Sequence, residues 1–226
     1  MTPRSLLLPL AFLVSTPVLA QAPAVEVADF QGVSVGQGLR AEVKRGDKSV
    51  RLEGDARDVA RVKLEVKDGV LTTRVTEESW ASGGLKGVRL YVTTPRLERL
   101  TASGGARDEA EANPDTRRVE ASGGSHVRLS GLEAKTLEAR ASGGSELSLQ
   151  GRAQTLDVAA TGGSTLAARE LQVGSLEVTA SGGSTLEASA EQSLRGTLSG
   201  GSTLTSATRP AQVDVKSSGG SRVSYR

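Results

Sequence analysis

From residue 100 onward, apolar side chains fall at alternate positions in short runs, and each run ends on a pair of glycines. Counting back from the residue before each pair, the third position holds Leu100, Val119, Ala139, Val158, Val178, Gly196 and Val215. The position next to that residue holds Ala102, Ala121, Ala141, Ala160, Ala180, Leu198 and Ser217. Two places further back the later runs add Leu137, Leu156, Leu176, Leu194 and Val213. Beyond the glycines a second run places Val127, Leu147, Leu166, Leu186, Leu204 and Val223 at one equivalent position. Period-two alternation predicts strands with one face turned inward, and apolar residues at i, i+2, i+4 exclude an amphipathic helix.

The glycine pairs are Gly104-Gly105, Gly123-Gly124, Gly143-Gly144, Gly162-Gly163, Gly182-Gly183, Gly200-Gly201 and Gly219-Gly220. Each lies in a Ser/Thr-Gly-Gly-Ser/Ala motif, and successive pairs are 19, 20, 19, 20, 18 and 19 residues apart. Ser82-Gly83-Gly84-Leu85 is an earlier, imperfect copy. A fixed period of this kind is the signature of a solenoid. It is too short for a propeller blade and lacks the leucine-rich pattern. The fold expected is all-β, a single-stranded β-helix with coils of about 19 residues. Each coil reads as strand, Ser-Gly-Gly-Ser corner, strand and a looser return, with coils stacked ~4.8 Å apart. Glycine suits the corner because it accepts positive φ and lets neighbouring coils approach.

Residues 25–100 keep strand character with less regularity. Val25–Val27, Gly32–Val35, Arg40–Lys44, Val50–Glu53 and Lys63–Val66 alternate. Asp55–Val62 predicts a short helical turn, Asp68-Gly69 a hairpin turn, and Val88–Thr94 a strand stopped at Pro95. No Pro/Gly/Ser linker divides the chain, so residues 21–226 read as one β-helical domain. Residues 21–100 supply its cap and first coils, and 101–226 its regular repeats.

Residues 1–20 read as an export signal. Arg4 precedes the apolar run Leu6–Val14, and Val18-Leu19-Ala20 is a small-x-small site that places cleavage between Ala20 and Gln21. The run is too short to cross a bilayer, and no later stretch reaches the ~20 apolar residues a transmembrane helix needs. The expectation is an exported protein, periplasmic or at the cell surface. Composition narrows the chemistry. The chain of 226 residues has no cysteine, so disulfides and thiolate metal sites are excluded, as is lipid attachment after the signal. Aromatics are 2%, so the core must be built from Leu, Val and Ala. The net charge of +2 provides no field for nucleic-acid binding. No motif asks for a cofactor.

Stacked coils turn equivalent outward positions into ladders. One runs Arg99, Arg118, Glu138, Asp157, Glu177, Arg195 and Asp214. Its three successive acids, Glu138, Asp157 and Glu177, are a candidate site for a hard divalent cation such as calcium. The alternative is a solvated face relieved by neighbours such as Arg140. The second ladder runs Arg107, His126, Glu146, Thr165, Thr185, Thr203 and Arg222. Its threonines could present an ordered hydroxyl surface to ice or sugar, or simply suit β-structure. His126, the one histidine, has no partner set and reads as a surface residue. A polysaccharide lyase or hydrolase reading could draw on Glu120, Glu138 and Arg140, but nothing in their spacing selects them.

The chain resembles the bacterial GIN-domain (DUF2807) family, described as autotransporter-adhesin head domains. The resemblance covers about residues 27–224 and rests on several segments taken together. These are Phe30-x-Gly-Val-Ser-Val, Gly38-Leu-Arg-Ala-Glu-Val, Val50-Arg-Leu-Glu-Gly-Asp, Leu64–Leu71, Val88–Leu100 and the Ala-Ser-Gly-Gly repeats. It implies an exported β-helical protein and carries over no catalytic residue. The function expected is a non-enzymatic binding or structural module of the cell envelope, adhesin-like, whose partner is an envelope protein or glycan. A polysaccharide-acting or cation-dependent glycan-binding β-helix is the second reading. Self-association through the last rung, Ser221–Tyr225, is the third.

Overall fold

The computed structural model describes residues 24–76, 85 and 87–226. The expected export signal, with Ala20 and Gln21, lies outside the described residues, as do Ser82, Gly83 and Gly84 of the imperfect repeat. The strands are β1 (Gly32–Val35), β2 (Arg40–Arg45), β3 (Ser49–Glu53), β4 (Val62–Lys67), β5 (Val70–Val75), β6 (Arg89–Thr94), β7 (Arg99–Ala102), β8 (Arg107–Glu111) and β9 (Arg118–Ala121). They continue as β10 (His126–Ala141), β11 (Glu146–Ala160), β12 (Thr165–Ala180), β13 (Thr185–Leu198), β14 (Thr203–Ser206), β15 (Gln212–Ser217) and β16 (Arg222–Tyr225). One helical turn, α1 (Ala56–Val59), is capped at its start by the Asp55 side chain. All 16 strands belong to one wound sheet.

The regular coils are a parallel β-solenoid. β10, β11, β12 and β13 each wrap round the axis and pair in parallel with the next. Inward positions stack like on like: Val33, Leu100, Val119, Ala139, Val158 and Val178 form one buried column. This interior is lined by Leu, Val and Ala, and Phe30 is the one aromatic among the described buried residues. The return segment is firmer than the sequence suggests. Leu132, Gly151 and Leu171 stand in register across three coils, as do Ala134, Ala153 and Val173, and all but Gly151 are buried. The return is therefore a paired part of the wall with its own inward positions. Register irregularities between Leu129 and Leu132 and between Ser148 and Gln150 interrupt the alternation within β10 and β11 and hid it in the sequence.

Each corner is a left-handed turn. Gly123 and Gly124 have φ of 60° and 74°, and Ser125 N–H donates to Ser122 C=O at 3.2 Å. Two successive positive φ values with that hydrogen bond make a type I′ turn. A Cβ on Gly123 would meet the Gly104 backbone nitrogen at 3.1 Å, whereas one on Gly124 would meet open space. The first glycine is thus demanded by the neighbouring coil, the second by the backbone conformation. The serine that follows points inward. Ser125, Ser145, Ser164, Ser184 and Ser202 are buried. Ser145 Oγ accepts from Ser142 N–H at 3.0 Å and donates to Ala121 C=O at 2.9 Å. It closes its own turn and ties it to the coil before.

The N-terminal end is wound out of chain order. Gly36-Gln37-Gly38-Leu39 forms one more corner, with Gln37 at φ 57° and Gly38 at φ 74°. β1 pairs in parallel with β7 on one side and β5 on the other, while β2 pairs with β8 and β6. β5 and β6, later in the chain, therefore lie outside β1 and β2. Beyond them β3 and β4 run antiparallel to β6 and β5 and are the outermost strands at that end. Asp68 and Gly69, both at positive φ, turn β4 into β5. At the other end β15 and β16 each pair on their inner side alone among the described residues, and most of their side chains are at least partly exposed.

Candidate functional site

The out-of-order winding builds a column that no single stretch of sequence displays. Pairing places Arg89, Arg40, Arg107, His126, Glu146, Thr165, Thr185, Thr203 and Arg222 in register along one face. Arg107 through Arg222 are the second ladder of the sequence. Arg40 and Arg89 extend it, so its first three members are arginines. They stand at successive strand spacings of ~4.8 Å. The outward column beside it runs Tyr91, Glu42, Glu109, Arg128 and Ser148.

A shallow cleft of about 360 Å³ lies over these two columns. Arg40, Arg89, Arg107 and Arg128 border it and form no ion pair among the described residues. Of the acids there, Glu42 is held by Lys44 at 2.5 Å and Glu146 faces His126 Nε2 at 3.6 Å. The Lys44–Glu42 contact holds the Lys44 ammonium above its ordinary pKa.

Beneath the columns lies Asp108, 2% exposed. It stands in register between Ala41 and Val127, in a column that continues as Leu147, Leu166, Leu186 and Leu204. Neither of its carboxyl oxygens has a hydrogen-bond partner. Burial pushes its pKa up to about 8, and the Ala41 backbone, outside good hydrogen-bonding geometry, offsets this only in part. At neutral pH the group is therefore largely protonated and subtracts little from the charge of the arginines above it. The sequence showed an acid where every other coil has an apolar residue, and that break in the pattern was the available signal.

The carboxylate ladder lies on another face. Glu138, Asp157 and Glu177 are in consecutive register. Arg118 and Arg140 both bind Glu138. Burial alone would push the Glu138 carboxyl up, but hydrogen bonds and charge from the two guanidiniums hold it below its ordinary value. Asp157 is shifted up by burial and by the neighbouring Glu177 and Glu138. The ladder is a row of carboxylates with its first member already paired. No group of three or more metal-type side chains converges among the described residues. Glu120, weighed above for catalysis, lies 3.7 Å from Arg118 in the same network. His126 is exposed, and no described helix is long and apolar enough to cross a membrane.

Three solved structures share this winding. A "putative adhesin" from Bacteroides fragilis matches with a TM-score of 0.83 at 17% identity, over 90% of this chain and 95% of that one. A "putative lipid binding protein" from Parabacteroides distasonis gives 0.71 at 12% identity over the same shares. A "putative adhesin" from Parabacteroides merdae gives 0.61 at 16%, again over 90% and 95%. At these identities the likeness is one of fold. No curated protein matches the chain in sequence. The family model described as "Putative auto-transporter adhesin, head GIN domain" matches residues 29–210, and the chain belongs to that family, DUF2807.

Proposed function

We propose that this chain is an exported, non-enzymatic binding module of the bacterial cell envelope, adhesin-like in action. The observation that carries the reading is the nine-position column from Arg89 to Arg222, held in register on a hydrogen-bonded wall. Such a surface presents side chains at a fixed repeat with little ordering cost on binding, which suits recognition of an extended or repetitive partner. The family description, an adhesin head, supports the same reading. Export rests on the residue 1–20 pattern. N-terminal sequencing of protein recovered outside the cytoplasm should begin at Gln21, and an uncleaved cytoplasmic chain contradicts export.

The test of binding is a glycan array together with saturable binding to immobilised envelope fractions, each with and without calcium. Specific, saturable capture supports the module. Absence of any saturable ligand contradicts it.

A second reading is favoured by the outer edge of β15 and β16, where Val213 is 39% exposed. Unpaired strand edges recruit further strands. A second copy pairing edge to edge would bury both. Sedimentation over a hundredfold concentration range should then show a dimer. A monomer throughout removes this reading.

A further inference from the structure

We propose that the arginine end of this face is a binding site for an acidic polysaccharide, a polymer carrying an anionic group at regular intervals along its sugars. The inference rests on the binding-module reading and assigns it a place and a ligand class.

Arg89, Arg40 and Arg107 occupy successive strands of one column with no acid in ion-pair contact among the described residues. Guanidiniums one strand spacing apart repel one another. A ligand with its own anions at a similar repeat would relieve that repulsion and take charge-assisted, bidentate hydrogen bonds. The fixed backbone register sets the repeat before the ligand arrives.

The adjoining column distinguishes a sugar from a bare polyphosphate or a lipid headgroup layer. Glu109 stands beside the arginines, as does Glu42, whose charge Lys44 already meets at 2.5 Å, which leaves Glu109 as the acid that would oppose a second anion. Carboxylates only accept hydrogen bonds at neutral pH. A strand of phosphates would meet repulsion there. An acidic saccharide carries both anions and hydroxyl donors, so it can meet the arginines and also donate to Glu109 in the column beside them. The cleft above the two, about 360 Å³, is of the size that holds a small-molecule ligand or a few sugar units. Burial keeps Asp108 beneath it from opposing an anion.

The experiment is calorimetric titration of the full protein with hexagalacturonate, dextran sulfate, neutral dextran, and vesicles of phosphatidylglycerol with phosphatidylcholine. Saturable binding of either acidic saccharide, weakening as salt rises and absent with dextran, is expected. Which of the two binds identifies carboxylate or sulfate as the anion. The Arg40→Gln/Arg107→Gln double variant should bind roughly tenfold or more weakly, the loss of one charge-assisted contact or more. Arg222→Gln, at the far end of the same column, should bind as wild type. Thermal melting confirms that each variant is folded. Equal loss in both variants, no binding to either saccharide, or binding confined to the anionic vesicles overturns the proposal. Saturable capture of some other envelope ligand, unaffected by Arg40→Gln/Arg107→Gln, would leave the binding-module reading standing while this assignment falls.

Discussion

The two ends of the solenoid share one register but obey different rules. At the C-terminal end each coil follows the previous one in sequence, the outward column is threonine up to Arg222 on the last strand, and the stack stops on exposed strands. At the N-terminal end the chain folds back, laying β5 and β6 outside β1 and β2. The column becomes arginine, and the outermost strands run antiparallel to their neighbours. Repetition thus supplies the rigid frame, and the departures from repetition supply the antiparallel edge and the charged surface.

Several substitutions sharpen that contrast. The largest effect is expected at Gly196, where an added Cβ would stand 2.1 Å from the Val178 carbonyl oxygen at a φ of 158°. Gly196→Ala must displace the wall of the neighbouring coil and should cost about 3 kcal/mol or more in denaturant unfolding. At the N-terminal corner Gly38→Ala meets open space at φ 74° and should cost only the left-handed penalty, about 1–2 kcal/mol. Equal costs would mean that the coils are not packed as closely as described.

Core truncation gives the next contrast. Leu156→Ala, in the middle of the stack and buried, should lose about 2–5 kcal/mol. Val213→Ala at the open edge should stay within about 0.5 kcal/mol. A similar loss at both positions would show that β15 is covered in solution, as edge-to-edge pairing requires.

Asp108 adds a pH dependence confined to the N-terminal half. Its folded pKa of about 8 lies above the ordinary value of 3.8. Between those values the folded state holds a proton that the unfolded chain has released, so stability falls as pH rises. The slope approaches 1.4 kcal/mol per unit and levels off above the folded pKa. Asp108→Asn should flatten melting temperature against pH between about 5 and 8. A slope unchanged in this variant would assign the dependence elsewhere. A smaller effect than that of Leu156→Ala belongs to Ser164→Ala, which removes the hydroxyl donated to Ala141 C=O at 3.0 Å and should cost about 1 kcal/mol.

The solenoid was legible because its signal repeats. Alternating Leu, Val and Ala with glycine pairs every 19 or so residues leaves few other folds open. The turn at Asp68-Gly69 and the helical turn at Ala56–Val59 were legible from local chemistry. The N-terminal winding was not. At the corner before β2, Gln37 replaces the first glycine of the motif and its side chain accepts from Val75 N–H at 2.6 Å. With Gly36 in place of the first Ser/Thr and Leu39 in place of the last Ser/Ala, three of the four positions depart from the motif that would have aligned Arg40 with Arg107. Arg89 was hidden for another reason: β6 precedes β2 in space and follows it in sequence, so counting along the chain cannot bring the two arginines together. The buried corner serines were visible as a motif, but their inward hydroxyls follow from the left-handed turn.

The most direct test of the account is hydrogen exchange read by mass spectrometry along the chain, with and without hexagalacturonate. Added saccharide should slow exchange in residues 39–45, 88–94, 107–111 and 126–129, and leave 203–206 and 222–225 unchanged. Protection concentrated at the threonine half or at the open edge would contradict the assignment of recognition to the arginine end.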